Sequence, residues 1–238
     1  MQLVDEWLDN AKYSLEERGD DLEILAKNEL SISLRDKGSY VMPEINIFRI
    51  SKNIFEEIDL IISFDDFIII GEIKNVKYPM EARNYHNSLK RITDGAEQVL
   101  RKKDFILKNK QHFNQLLNGI EGKEVYCMVI CNYPHFTGMQ IMGVPIIDYM
   151  AFHTYMDKGV IQKSNSTFDK HKKEINTKII ERKYLWKNKK EFFENFKSYL
   201  DSPTFVEEMK SKINIKDMRI TINNIEPEIY IQQADIIK

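Results

Sequence analysis

Two strongly apolar segments separated by an Asp-Asp pair constrain the fold of this 238-residue chain more than any other feature. Residues 58–63 and 67–74 are rich in isoleucine, and two aspartates between such segments are typical of a tight turn. The pattern predicts a β-hairpin with a two-residue loop, in which Phe64 lies opposite Phe67. Because both segments are apolar on both faces, we expect the hairpin in the interior of a sheet.

The predicted hairpin brings charged side chains together within this apolar sheet. Its register places Asp59 opposite Glu72, and Lys74 shares their face because side chains alternate along a strand. Two neighbouring carboxylates are costly in a half-buried sheet unless something binds them. Hard cations such as Mg²⁺ take carboxylate oxygens and complete their coordination with water and substrate phosphate. The hairpin therefore predicts a divalent-metal site.

An Asp on one strand followed by Glu-x-Lys on the next resembles the signature of the PD-(D/E)XK, or restriction-endonuclease-like, nuclease superfamily. The matching residues are Asp59, Glu72 and Lys74. The resemblance implies that Asp59 and Glu72 hold Mg²⁺, for which Mn²⁺ can substitute, with the Ile73 carbonyl as a further ligand. It also implies that Lys74 is catalytic and lies near the attacked phosphate.

The first core helix of this superfamily often supplies another acid to the metal. The resemblance covers about residues 20–150, with Ile58 in place of the proline that precedes the Asp in the family. A helix is predicted over residues 20–37, and Glu29 falls near the middle of its apolar stripe while Glu23 falls at the edge. Glu29 is thus the first candidate and Glu23 the second; the alternative for Glu29 is a pairing with a lysine. The stripe consists of Leu22, Leu25, Ala26, Leu30 and Leu34.

A second helix is predicted over residues 88–109 and contains Gln98. Many members of the superfamily carry a Gln on the helix after the Glu-x-Lys strand, which implies that Gln98 orients the attacking water or a phosphate oxygen. A surface position on a long helix is the alternative. Lys102 stands where the RecB-like branch has a Tyr, so the chain is not assigned to that branch.

Basic residues are concentrated in two segments, although the formal net charge is only −2. Residues 74–110 contain ten basic and four acidic residues, and residues 158–190 contain eleven and three. Such segments beside a metal site would neutralise a phosphate backbone without reading its sequence, although a solvated helix face is the alternative. The predicted nucleic-acid-binding residues are Lys77, Arg83, Arg101, Lys102 and Lys103.

The predicted elements follow the order α-β-β-β-α-β, and the helix before the last strand allows that strand to run parallel to its neighbour. The predicted fold class is α/β, a restriction-endonuclease-like core with a central mixed sheet flanked by helices. We place this core at residues 1–160 and a mostly helical extension of unknown role at residues 161–238. Beyond the hairpin and the two helices, the predicted elements are strands at 41–50, 125–131 and 144–147, a helix at 148–158, a linker at 162–176, helices at 189–200 and 204–212, and strand-like alternation at 219–231.

The metal site, the basic segments and the resemblance together predict a metal-dependent nuclease, and the resemblance implies a DNA endonuclease of a microbial defence, repair or mobile-element system. Two alternatives remain open: a catalytically silent member that binds nucleic acid or scaffolds a complex, and an interaction protein whose basic helices dock an acidic partner. No apolar run reaches transmembrane length, the first residues are acidic, and Cys127 and Cys131 are too far apart along one strand for a disulfide. We therefore expect a cytoplasmic protein without a membrane partner, acting as a homodimer or within a larger defence complex.

Overall fold

The computed structural model describes residues 2–35, 37, 40–169, 173–222 and 225–236. It is a mixed α/β structure with a central mixed sheet flanked by helices, as the sequence predicts. The helices are α1 (Gln2–Asn10), α2 (Leu15–Ser33), α3 (Ala82–Lys108), α4 (Lys110–Leu116), α5 (Tyr149–Met156), α6 (Lys189–Asp201) and α7 (Thr204–Lys210), with a 3₁₀ turn at Pro134–Phe136. The strands are β1 (Tyr40–Val41), β2 (Ile47–Ser51), β3 (Ile54–Glu57), β4 (Leu60–Phe64), β5 (Phe67–Lys74), β6 (Glu124–Cys131), β7 (Gln140–Ile141), β8 (Val144–Asp148), β9 (Val160–Asp169), β10 (Glu174–Tyr184), β11 (Ile213–Ile222) and β12 (Ile225–Ile236).

The central sheet has the strand order β1-β4-β5-β6-β8-β7. β4 and β5 form the predicted hairpin, and its register is confirmed because Leu60 pairs with Gly71 and Ile61 with Ile70. β6 runs parallel to β5, as predicted for a strand that follows a helical crossover, and β8 runs parallel to β6. The next pair along the β4–β5 ladder would be Asp59 and Glu72, so both residues lie at the same end of the two strands.

Helices pack on both faces of this sheet, which explains why β4 and β5 are apolar on both sides. On one face, α3 packs against Ile61 and Ile70 through Ile92, Ala96, Val99 and Ile106. On the other face, α2, α5 and α6 contribute Ala26, Leu30, Phe152, Phe192 and Phe196. Among the described residues, no helix is long and apolar enough to cross a membrane.

The predictions for the first third of the chain need two corrections. α2 begins at Leu15, five residues before the predicted start, because Ser14 and Glu17 form a reciprocal capping box. The predicted strand at 41–50 is two strands in different sheets. Its first part, β1, pairs with β4, and β2 pairs instead with β3 in a separate hairpin.

The segment after residue 160 is mostly strand rather than mostly helix within its described residues. The predicted linker at 162–176 lies largely in a long antiparallel hairpin, β9–β10, and β11–β12 form another. The predicted helices near 189–200 and 204–212 are present as α6 and α7. Phe196 of α6 stacks on Phe67 with a centroid distance of 5.1 Å, so this segment also contributes to the central core.

Candidate active site

Asp59 and Glu72 lie at the end of the β4–β5 hairpin, on the face of the sheet that α3 covers. Asp59 directly precedes β4, and Glu72 and Lys74 alternate with the buried Ile73 near the end of β5. Alternation along each strand gives Asp59 the same face as Ile61, and Glu72 the same face as Ile70. Asp59 is 6% exposed and Glu72 is 3% exposed, so two carboxylates are almost fully removed from water.

Each of the four oxygens of these two carboxylates accepts a hydrogen bond from the chain. The Lys102 Nζ lies 2.6 Å from Asp59 Oδ1 and also donates to Glu72 Oε2. The backbone N–H of Ile73 donates to Asp59 Oδ2 at 2.9 Å, and Lys74 Nζ lies 2.6 Å from Glu72 Oε1. Two ammonium groups therefore compensate the two carboxylates in the described structure.

The position of Lys102 corrects its predicted role in binding nucleic acid. Lys102 is only 4% exposed, and its ammonium group forms ion pairs with both acids. Gly95, Gln98 and Lys102 follow one another at spacings of three and four along α3, so they lie on one face of that helix. This helical spacing was the available signal in the sequence, but the neighbouring Arg101 and Lys103 made Lys102 resemble part of an exposed basic run.

α3 also shapes the surroundings of Lys74. A Cβ added to Gly95 would lie 3.1 Å from Lys74 Cγ, so the glycine leaves room for the lysine stem. Gln98 lies one turn further along α3, and it lines the same cavity as Asp59, Glu72 and Lys74. Its Oε1 atom is buried and has no hydrogen-bond partner, although a buried amide oxygen ordinarily has one.

Burial and mutual repulsion control the protonation of this cluster. Burial, followed by the charge of Asp59, raises the pKa of the Glu72 carboxyl above its usual value. Burial alone would lower the pKa of Lys102, but the charges of Asp59 and Glu72 outweigh it and the pKa is raised. Lys102 is therefore a firmly protonated cation between the two acids.

A cavity of about 450 Å³ opens beside the cluster and is rich in acids. Six carboxylate side chains and three basic side chains line it. A larger cavity of about 820 Å³ lies next to it along α2 and shares three of its acidic residues, so the two form neighbouring parts of one cleft. The residues that line the smaller cavity are Asp20, Glu23, Phe55, Glu56, Glu57, Asp59, Glu72, Lys74, Gln98, Arg101 and Lys102.

Glu23, rather than Glu29, is the acid that α2 contributes to this cavity. Burial and the charge of Asp59 raise the pKa of Glu23 to about 7. The Glu29 side chain is 43% exposed, accepts a hydrogen bond from the Tyr149 hydroxyl, and lies 3.9 Å from His153 Nε2. Glu29 does not line the cavity, so its position does not support the predicted role as a metal ligand, whereas Glu23, the second candidate, does line it.

The other predicted nucleic-acid-binding residues are spread over different surroundings. Arg101 lies at the cavity and forms a two-point ion pair with Glu56, at 2.9 and 3.1 Å. Lys77 pairs with Asp9 of α1 at 2.5 Å. Arg83 is exposed near the start of α3, and Lys103 is half-buried and does not line the cavity. The structure thus brings only Arg101 of these four to the acid pair.

The donor set fits a hard cation in part. No group of three or more His, Cys, Asp or Glu side chains close enough to hold a metal occurs in the part of the chain that the structure describes. Asp59 and Glu72 supply two convergent carboxylates, and Mg²⁺ is often held by one or two carboxylates with water and phosphate in its other positions. Gln98 lines the same cavity, and its Oε1 atom is buried without a hydrogen-bond partner in the described structure. A comparison with protein-family models and with curated proteins found no match to the chain.

Proposed function

We propose that this chain is a metal-dependent nuclease that hydrolyses phosphodiester bonds in DNA. The observation that carries the proposal is the buried pair Asp59 and Glu72 beside Lys74, in a cavity where carboxylates outnumber basic groups. Such a cavity repels a bare phosphodiester, because like charges at short range are unfavourable in a partly dry site. A divalent cation held by the two acids would reverse that repulsion and bind the phosphate.

Each residue of the cluster has a distinct task in this proposal. Asp59 and Glu72 would hold Mg²⁺, which Mn²⁺ can replace, with the Ile73 carbonyl as a further ligand. When bound, the ion would acidify a water molecule and neutralise charge on the phosphate. Lys74 would donate to a phosphate oxygen, and its position against Gly95 and Glu72 restricts its side chain for that task. Gln98 would accept a hydrogen bond from the attacking water through Oε1.

The proposal extends to the fold type and to the setting of the protein. The mixed sheet and the β4–β5 hairpin agree with a restriction-endonuclease-like α-β-β-β-α-β core, which we propose as the fold type. We further propose a cytoplasmic location, a role in microbial defence, repair or a mobile element, and action as a homodimer or within a larger defence complex.

One observation favours a second function, that of a catalytically silent protein that binds nucleic acid or scaffolds a complex. Lys102 and Lys74 already compensate Asp59 and Glu72, so the cluster is electrically balanced without a metal. A cluster of this kind could be a purely structural feature of the core. Nucleic-acid binding without metal-dependent cleavage would identify this alternative.

The decisive experiment is a cleavage assay with Mg²⁺, with Mn²⁺ and with EDTA, on supercoiled DNA, linear DNA and RNA. Asp59→Asn and Glu72→Gln should lower metal-dependent cleavage by about a hundredfold or more. Asp65→Asn is the matched control, because Asp65 lies in the exposed loop of the same hairpin and should leave cleavage unchanged. Cleavage that survives in both acid variants would refute the assigned site, and lack of any cleavage by the wild type would refute the nuclease function.

A further inference from the structure

Lys102 occupies the place between the two acids where a metal ion would have to bind. Its ammonium group donates to Asp59 Oδ1 and to Glu72 Oε2, so it bridges the two carboxylates. The remaining two oxygens are held by the Ile73 N–H and by Lys74. A divalent ion that bridges the acids therefore competes first with Lys102, because the other donors are a fixed backbone group and the lysine on the outer side of Glu72.

The charge balance of the cluster leads to the same conclusion. Two carboxylates and two ammonium groups sum to zero in an almost fully buried site. Addition of a divalent ion with Lys102 in place would leave two uncompensated positive charges there. Such a charge is costly away from water, so entry of the metal and departure of the ammonium group have to be coupled.

The cavity beside the cluster offers the displaced ammonium group a new position. Glu23 and Glu57 line this cavity together with Lys102, and Glu23 is close enough to interact electrostatically with Lys102. Lysine has a long flexible stem, so its ammonium group can move several ångströms while α3 stays in place. If the ammonium group moved toward Glu23 and Glu57, Lys102 would still have an acidic partner.

We propose that the Lys102 ammonium group is a built-in cation, which occupies the space between Asp59 and Glu72. It has to move out of this space before a divalent metal can bind there. This inference rests on the proposed nuclease function, because it describes how access to the same acid pair is controlled. In the metal-free protein, the Lys102 ammonium group competes with the metal for the two carboxylates and lowers the affinity of the protein for metal.

Direct measurement of Mn²⁺ binding by calorimetry tests this inference. Lys102→Met keeps most of the side-chain volume but removes the charge, so it should bind Mn²⁺ about tenfold or more tightly than the wild type. Lys103→Met is the matched control, since Lys103 is next in the chain but does not line the cavity, and it should bind as the wild type does. Equal or weaker binding by Lys102→Met, or no binding by any of these proteins, would overturn the inference.

A measurement on the wild type avoids dependence on the folding of the variant. Lys102 is buried without metal, so acetic anhydride should modify it slowly, and saturating Mn²⁺ should increase its modification several-fold as read by peptide mass spectrometry. Modification of Lys103 should stay constant and serves as the internal reference. If Mn²⁺ leaves the modification of Lys102 unchanged or lowers it, the ammonium group does not leave and the inference is wrong.

Cleavage by the same preparations separates this inference from the proposed function. Metal-dependent cleavage by the wild type, with no gain in Mn²⁺ affinity in Lys102→Met, would reject the built-in cation and retain the nuclease. Tighter Mn²⁺ binding by Lys102→Met, with no cleavage by either protein, would retain the built-in cation and reject the nuclease.

Discussion

Gly95 and Lys74 are in such close contact that no side chain fits at residue 95 without moving the lysine. An added Cβ would lie 3.1 Å from Lys74 Cγ and 3.2 Å from Lys74 Cε. Gly95→Ala should therefore displace the Lys74 ammonium group, and we expect cleavage to fall by about ten- to a hundredfold, since small misplacements of catalytic groups have large effects. Stability should change little, because the better helix propensity of alanine offsets the contact.

Gly19→Ala is the control for this substitution. Gly19 lies within α2, and a Cβ added there would meet no atom within 4 Å apart from its chain neighbours and the adjacent helix backbone. The change should stabilise the protein by about 0.5–1 kcal/mol and leave cleavage unaltered. A kinetic comparison of both variants, with Tm measured alongside, checks the prediction; full activity in Gly95→Ala would show that Lys74 does not need its present position.

Local patterns in the sequence were sufficient to predict the hairpin and its charged end. The β4–β5 register follows from two apolar segments and a two-residue loop, and those features are contiguous in the chain. The same register predicts that Asp59 and Glu72 are neighbours. What it could not give is the group between them, because Lys102 comes from a helix whose rotation against the sheet is decided by tertiary packing.

The choice between Glu23 and Glu29 shows how one residue can mislead a periodicity argument. The apolar stripe of α2 in the sequence contains Leu25, which moves the predicted centre of the buried face toward Glu29. Leu25 is 45% exposed, whereas Ala26 and Leu30 are almost fully buried. With Leu25 left out, the buried face is centred nearer to Glu23. The β9–β10 hairpin was missed for a related reason, since its exposed, polar strands do not have the apolar pattern of a buried strand.

Because Lys102 forms ion pairs with Asp59 and Glu72, removal of either acid is expected to lower the stability of the protein. Two facing carboxylates alone would be relieved by the loss of one, but here the loss of either acid leaves two ammonium groups beside a single carboxylate. Glu72→Gln and Lys102→Met should each lower the free energy of unfolding by about 3 kcal/mol. The double variant should lose less than the sum, with a coupling energy of about 2 kcal/mol.

Urea unfolding in EDTA, with a full double-mutant cycle, measures this coupling. Lys103→Met combined with Glu72→Gln provides the reference cycle and should give additive losses, because Lys103 does not line the cavity beside the cluster. Additive losses for the Lys102 cycle as well would mean that the Lys102–Glu72 contact contributes nothing to stability.

Glu23 should make the stability of the protein depend on pH. The pKa of Glu23 is raised to about 7 by burial and by the charge of Asp59, whereas a glutamate in the unfolded chain has a pKa of about 4.3. Between these values the folded state binds the additional proton, so the stabilisation present below about pH 4.3 is lost as pH rises toward 7. Glutamine has no titratable proton, so the side chain of the Glu23→Gln variant stays neutral at pH 8. This variant should therefore be more stable than the wild type at that pH.

We expect this advantage to be about 1–2 kcal/mol at pH 8, after allowance for partial solvent screening, and to shrink toward pH 4.5. Unfolding in EDTA at both pH values measures it, and Glu16→Gln, on an exposed position of the same helix, controls for the loss of a carboxylate. An advantage of equal size at both pH values would contradict the raised pKa of Glu23.

Arg101 should contribute to nucleic-acid affinity in a way that depends on salt. It is 59% exposed at the edge of the cavity, where its pairing with Glu56 holds the guanidinium group close to the acid pair. Contact of this group with one phosphate would release about one counterion, so Arg101→Gln should lower the slope of log affinity against log salt by about one unit. Lys103→Gln removes a neighbouring charge that does not line the cavity, and it should leave the slope unchanged.

Binding isotherms of a catalytically inactive Asp59→Asn background across a range of salt concentrations provide the measurement. Equal slopes for the Arg101 variant and its parent would mean that the phosphate backbone does not pass this edge of the cavity.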